Sequence, residues 1–382
     1  MKRELLLIPG PTPVRREILD ALAQETVSHV DPRMVKSFQN SLEMTSELFS
    51  CEGEVFVISG SGTLAMEIAL INTVKPGERI LILSHGYFGD RFIQLAESFG
   101  IEYDVISAEW GEHVAYEDVE AALESTNYKA VTITHVDTST GVQANLDKLV
   151  PIIKEKNTLV ILDGVCATAG IEENMSKQYG NGKIDVVLTG SQKALGVPPG
   201  LGIVAFSKDA LKTRDEMERV PAYYADIKRW LPIMHDPSKY YATPSVNMVW
   251  AYEKALEIIF EEGLENRYER HIKYGKAVRK ALGVYGMKAV ADEEVAAATM
   301  SCVKYPEGLD DAKFRSMCYE RGLVLAGGLA SFAGNAFRIG HMGNTTVEEL
   351  TQAIEIIGQV LIEMGKEDCI KDAIEMLKNN IR

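Results

Sequence analysis

The sequence predicts an α/β fold, with a mostly parallel sheet covered by helices in a large domain and a smaller α+β domain at the C-terminal end. Three observations carry that reading. Between residues 54 and 206, short β-rich runs alternate with helical patterns. Most of those runs are continuously apolar, the pattern of strands buried on both faces. From residue 245 the pattern changes, first to a mainly helical stretch through 282 and then to mixed strand and helix.

The predicted strands of the first part are Glu54–Ser59, Arg79–Ser84, Glu102–Ile106, Ala130–Thr134, Thr158–Asp163, Asp185–Thr189 and Gly202–Phe206. Helical patterns lie between several of them. Thr63–Val74 puts Leu64, Ile68 and Ile71 on one face, and Phe88–Phe99 and Tyr116–Ser125 behave similarly. Strand–helix–strand alternation implies parallel strands with helices packed on the sheet. In the second part the expected elements are strand Thr299–Lys304, helix Asp310–Arg321, strands around Leu323–Ala326 and Ala336–Ile339, and helix Val347–Met364. The helical stretch is strongly charged over Glu257–Glu265, and with the change of pattern around it we place a boundary near residue 262.

Composition narrows the function classes. The chain has 382 residues, 55 acidic against 40 basic, and a formal charge of −15. That length suits two or three domains. The acidic balance argues against nucleic acid, which needs a basic footprint, and against anionic membrane surfaces. The cysteines Cys51, Cys166, Cys302, Cys318 and Cys369 form no CxxC pair, which reads as reduced thiols in a cytoplasmic protein. The apolar run Leu5–Ile8 is too short for a secretory segment, and no stretch approaches a membrane span.

Ligands of open α/β sheets bind beyond the carboxyl ends of the strands, so the residues there are the candidates. Gly60-Ser61-Gly62-Thr63 opens a helix after the first strand, where free N–H groups and the positive dipole end suit a phosphate. Gly60–Ala65 also fits the dinucleotide fingerprint G-x-G-x-x-A, but the next strand ends in Ser84-His85-Gly86 without the acid that fingerprint requires. Asp163 ends an apolar strand and needs a partner: a metal, a protonated ring nitrogen or a structural cap. Lys193, in Gly190-Ser191-Gln192-Lys193-Ala194, is either a desolvated nucleophile or an exposed loop lysine. Thr134–Gly141 is dense in hydroxyls, and its His135 and Asp137 are too few for a metal site. Arg338 interrupts an apolar strand and calls for an anionic partner, in a ligand or in an internal salt bridge.

A strand-end Asp, a strand-end Lys thirty residues later and an upstream Gly/Ser helix start together suit pyridoxal 5'-phosphate (PLP). With Pro9-Gly10-Pro11-Thr12, Ser59–Thr63, Gly86–Arg91, Ser139-Thr140-Gly141, Asp163-Gly164-Val165, Gly190–Ala194, Pro198-Pro199-Gly200, Tyr240–Pro244 and Phe337–Gly340 in order, the chain resembles the class V aminotransferases of fold type I. Its nearest branch is the alanine–glyoxylate and serine–pyruvate aminotransferases.

The resemblance implies an N-terminal segment, 1–20, over the active site, a large PLP-binding domain, 21–262, and a small domain, 263–382. It implies that Lys193 binds PLP covalently and moves the substrate's Cα proton, while Asp163 pairs with the pyridine nitrogen. Val165 and Phe88 would face the ring, and Thr138 its phenolic oxygen. Ser61, Gly62, Thr63 and Gln192 would hold the phosphate, with Tyr240 and Thr243 completing that site in the second subunit of a homodimer. Arg338 would grip the substrate carboxylate, with Gly10 closing over it. No metal is implied. The reaction would carry an amino group from alanine, serine or aspartate to glyoxylate, pyruvate or 2-oxoglutarate, in ping-pong order. Two positions depart from the family: Phe88 replaces the common tryptophan, and His29-Val30 replaces His-Arg, with Arg33 nearby to restore the charge. The alternatives are a lyase or cysteine desulfurase of the same fold, for which Cys302 and Cys318 look too structural, an NAD-dependent oxidoreductase, and a non-catalytic member of the fold.

Overall fold

The computed structural model describes residues 4–381. Its central sheet has seven strands: β1 Glu54–Ser59, β2 Arg79–Ser84, β3 Glu102–Ser107, β4 Ala130–Thr134, β5 Leu159–Asp163, β6 Val186–Gly190 and β7 Leu201–Phe206. They lie in the order β1-β7-β6-β5-β4-β2-β3. β3, β2, β4, β5 and β6 run parallel to one another, while β7 is antiparallel to both β6 and β1. The reversal has a simple cause. Only residues 191–200 separate β6 from β7, and a parallel crossover needs a dozen residues or more. The chain therefore turns back, and that return carries Lys193.

β4, β5, β6 and β7 are buried along their whole length. The largest apolar core surrounds this sheet, with Phe56, Phe92 and Phe206 fully enclosed. Each such side chain contributes about 1.5–3 kcal/mol on burial. Asp163 is the first polar residue that β5 reaches, at the sheet's carboxyl edge, in register with Thr134 and Leu188.

A second core belongs to the C-terminal part. Its antiparallel sheet runs Lys288–Ala289, Met300–Lys304, Ala336–Gly340, Ala326–Gly327. Helices Leu264–Val284, Asp311–Glu320, Val347–Glu363 and Ile370–Ile381 supply much of the rest. Leu5 and Leu7 of the N-terminal segment join that same core. Leu5–Leu6 pairs in parallel with Leu323–Val324, and Leu7 O accepts from Gly340 N–H at 2.8 Å. The segment is thus anchored beside the Arg338 strand before it crosses to the large sheet. No helix among the described residues is long and apolar enough to cross a membrane.

Candidate functional site

Lys193 sits in a braced turn. Gly196 N–H donates to Lys193 O at 2.9 Å, Val197 N–H to Ser191 O at 3.1 Å, and the Ser191 hydroxyl to Pro198 O at 2.7 Å. The side chain is 9% exposed, so the exposed-loop alternative falls away. Its Nζ donates to Pro9 O. A Cβ placed on Gly10 would lie 2.5 Å from Lys193 Cδ, so glycine lets the N-terminal segment lie directly on the lysine. Burial pushes the amine below its ordinary pKa, and Arg338 adds in the same direction.

Asp163 is 3% exposed and accepts from Val165 N–H at 2.9 Å. Burial pushes its carboxyl up to about 7; Asp137 and Glu173 add to the rise, and Lys193 opposes it. Gly164 has no room for a side chain, because both Glu173 carboxylate oxygens lie 2.5 Å from where its Cβ would be. Glu173 in turn meets His135 Nδ1 at 2.7 Å and accepts from the Thr168 hydroxyl at 2.6 Å. His135 therefore faces Glu173, while Asp137 serves the backbone of another element. It accepts from Phe88 and Gly89 N–H at 2.9 and 3.0 Å, in the first turn of helix Tyr87–Phe99.

Helix Gly62–Ile71 begins at Ser61, whose side chain makes no cap hydrogen bond. The helix start is seated against glycine. A Cβ on Gly190 would lie 3.2 Å from Gly62 N and 2.7 Å from Gln192 Oε1, which brings Gln192 to this corner. Val165 Cγ2 lies 2.8 Å from where a Cβ on Gly62 would be. Thr63 Oγ1 accepts from Arg91 Nη1 at 3.1 Å, and the Arg91 guanidinium stands 4.8 Å from the Phe88 ring centroid.

Arg338 reaches in from the small domain. Its Nε donates to Gly327 O at 2.8 Å and its Nη1 to Thr138 O at 3.3 Å. Among the described residues it has no acidic partner within ion-pair distance, so the internal salt bridge is not what holds it. Thr138 is buried and presents its carbonyl to Arg338. Tyr240 and Thr243 are not gathered with these groups. They lie in an exposed stretch, with Tyr240 66% exposed, its hydroxyl 3.5 Å from Thr243 Oγ1 and its ring 5.7 Å from His29. Arg33 supplies no free charge, because its Nε and Nη2 are each 3.0 Å from the Asp31 carboxylate. Burial pushes the Cys302 and Cys318 thiols up to about 12, which withholds the thiolate that a desulfurase needs.

Comparison with known proteins identifies the family. A family model described as aminotransferase class-V matches residues 7–351. An uncharacterized aminotransferase of Methanocaldococcus jannaschii is 34% identical over 380 residues, covering 98% of both chains. The serine–glyoxylate aminotransferase of Methylorubrum extorquens is 32% identical, covering 95% of this chain and 92% of its own. The crystal structure of an alanine–glyoxylate aminotransferase from Nostoc sp. superposes with a TM-score of 0.89 at 29% identity, covering 94% of this chain and 96% of that one.

Proposed function

The chain belongs to the class V aminotransferases, PLP-dependent transaminases of fold type I, and on that premise we propose that it moves an amino group from a small L-amino acid (alanine, serine or aspartate) to a 2-oxo acid such as glyoxylate, pyruvate or 2-oxoglutarate. One observation carries the reading. The buried carboxyl of Asp163 and the largely buried guanidinium of Arg338 each act electrostatically on the buried amine of Lys193, yet among the described residues all three are hydrogen-bonded only to backbone. Unpaired buried charge is costly, so such groups are retained where a ligand completes them.

The residues fit PLP. A protonated ring nitrogen would give Asp163 the counter-charge it lacks and return the carboxyl to its ionised form. The Gly62 and Thr63 N–H groups, the Thr63 hydroxyl and Gln192 suit a phosphate at a helix start, with Ser61 beside them. Val165 and Phe88 suit the two faces of a flat ring, and the Thr138 hydroxyl its phenolic oxygen. Bound PLP would supply the electron sink for the Cα electrons of the amino acid.

The chain's own groups do the rest. Burial lowers the pKa of the Lys193 amine, which suits its Nζ to act first as a nucleophile and then as the base that moves the Cα proton. Arg338 fixes the substrate α-carboxylate by a charge-assisted pair. Pro9 and Gly10 exclude water above Nζ. The two substrates use one site in turn, which predicts ping-pong kinetics. Tyr240 and Thr243 complete the phosphate site of a second copy in a homodimer. Their exposure supports this, together with that of Tyr223, which lies 5.3 Å ring-to-ring from Tyr241.

The test is direct. Purified protein incubated with PLP and reduced with borohydride should carry the label on Lys193, and Lys193→Ala should abolish both label and turnover. Bleaching of the visible band by L-alanine, L-serine or L-aspartate would rank the donors. Protein that takes up no PLP, or a label on another lysine, would overturn the reading.

A further inference from the structure

Arg267 is 1% exposed, on helix Leu264–Val284, and nothing in the transaminase reading uses it. Its guanidinium divides between two turns of the large domain. Nη2 donates to Ala194 O at 2.6 Å, one residue beyond Lys193. Nε donates to Ala169 O at 2.7 Å, at the far end of the turn that starts at Asp163. That turn is itself closed by Ala167 and Thr168 N–H on Gly164 O and by Gly170 N–H on Ala167 O, each at 2.8 Å. One planar cation therefore spans the turn bearing the amine and the turn bearing the acid.

Arg267 itself lies on a helix of the small domain, and a chain of contacts joins it to the segment after the Arg338 strand. Nη1 donates to Glu262 Oε2 at 2.6 Å, and Glu262 also accepts from Arg270, whose Nη2 donates to Gly343 O at 3.0 Å. Gly343 N–H donates to His271 Nε2 at 2.9 Å. His271 Nδ1 therefore carries the ring proton and donates it to Arg267 O at 2.7 Å. Gly343 lies three residues past the strand that carries Arg338.

We propose that Arg267 is a positioning residue: it fixes the Lys193 turn relative to the Asp163 turn and couples both to the segment following Arg338. The roles of Lys193, Asp163 and Arg338 rest on the transaminase reading, whereas the spanning contact does not. Arginine suits the task because its donors leave a rigid plane in fixed directions, while a lysine ammonium at the same place would serve one carbonyl and release the other.

Arg267→Lys keeps the charge and removes the fork. In the PLP-loaded enzyme we expect kcat to fall about tenfold or more, with the donor KM changing far less, since small misplacement of reacting groups acts on turnover. The pH midpoint of the visible absorption band should also move. In PLP-free protein, hydrogen exchange should rise in residues 164–171 and 191–197. Glu262→Gln, which leaves Arg267 present but less firmly oriented, should shift the same quantities in the same direction by less. A variant with reduced melting temperature but wild-type kcat per bound PLP, pH midpoint and local exchange would make Arg267 merely structural and overturn the proposal. If Arg267→Lys fails to fold, Glu262→Gln decides on the same readouts. Wild-type protein that binds no PLP would remove the transaminase reading, and the exchange measurement would still decide whether Arg267 orders the two turns.

Discussion

Asp137 and Asp163 are aspartates buried just beyond and at the ends of adjacent strands, 0% and 3% exposed, and the fold treats them in opposite ways. Asp137 is saturated. One oxygen accepts from Phe88 and Gly89 N–H, the other from Ser139 N–H at 2.9 Å and the Ser139 hydroxyl at 2.5 Å. It caps a helix from across the chain, because the residue at the cap position is Gly86, which has no side chain to do so. Asp163 accepts from Val165 N–H and has no cation in ion-pair range among the described residues. A buried carboxylate surrounded by donors is a structural device. One held to a single backbone donor, with its pKa driven up to about 7, is poised for a ligand.

Replacing the poised member should give the largest effect. Asp163→Asn keeps the shape and removes the charge, so turnover should fall by about two to three orders of magnitude. Stability of the PLP-free protein should respond the opposite way. The folded-state pKa of Asp163 lies above its unfolded value, so its favourable contribution is complete below about pH 4 and is lost as pH rises through about 7. At pH 8 the Asn variant should therefore be the more stable, by an amount on the order of 4 kcal/mol at most, and near pH 4 the difference should vanish. Denaturant melts of both PLP-free proteins at the two pH values check this. Equal stability at pH 8 would mean that Asp163 is paired after all.

Asp137→Ala should act in the reverse sense, mainly on stability. It leaves buried N–H groups of Phe88, Gly89 and Ser139 without acceptors, at a cost of about 3 kcal/mol. With the first turn of helix Tyr87–Phe99 loosened, Phe88 loses its fixed place, so PLP affinity should fall more than kcat at saturating PLP. A melt together with a PLP titration separates the two. An unchanged melting temperature would place Asp137 among the ligand-binding groups instead.

These differences explain what the sequence reveals. Asp163, Lys193 and Arg338 are legible because each is a charge set at the end of, or inside, an apolar run, where burial without a ligand is expensive. The strands are legible for the same reason, since β4 to β6 are apolar on both faces. The reversal of β7 is written only in the shortness of residues 191–200, a spacing rather than a residue type. Asp137 and Arg267 lie in stretches that look ordinarily polar, and the partners that span elements, Phe88 and Gly89 N–H for the one and Ala169 and Ala194 O for the other, are backbone atoms distant in sequence. The one trace Arg267 leaves is its register: with His271, Tyr274 and Val278 it falls on the buried face of helix Leu264–Val284. Tyr240 and Thr243 are exposed, and their contacts with each other and with His29 give no sign of a role in the site around Lys193.

The smallest expected effect gives the sharpest check on the contrast, because it tests the supporting layer of Asp137 alone. The Ser139 hydroxyl donates to Asp137 Oδ1 and accepts from Tyr87 N–H at 3.0 Å, so it serves the same helix start one residue earlier. Ser139→Ala removes both contacts but leaves Asp137 bonded to Phe88, Gly89 and Ser139 N–H. Tyr87 is 40% exposed, so water can reach the amide that is released, and the cost should be about 1 kcal/mol, well below that of Asp137→Ala. Turnover at saturating PLP should be unaffected, because Asp163, Lys193 and Arg338 keep all their contacts. A loss of turnover comparable to that of Asp163→Asn, measured on folded and PLP-saturated enzyme, would show that the Asp137–Ser139 cluster acts on the reacting groups and would dissolve the division between a structural and a poised aspartate.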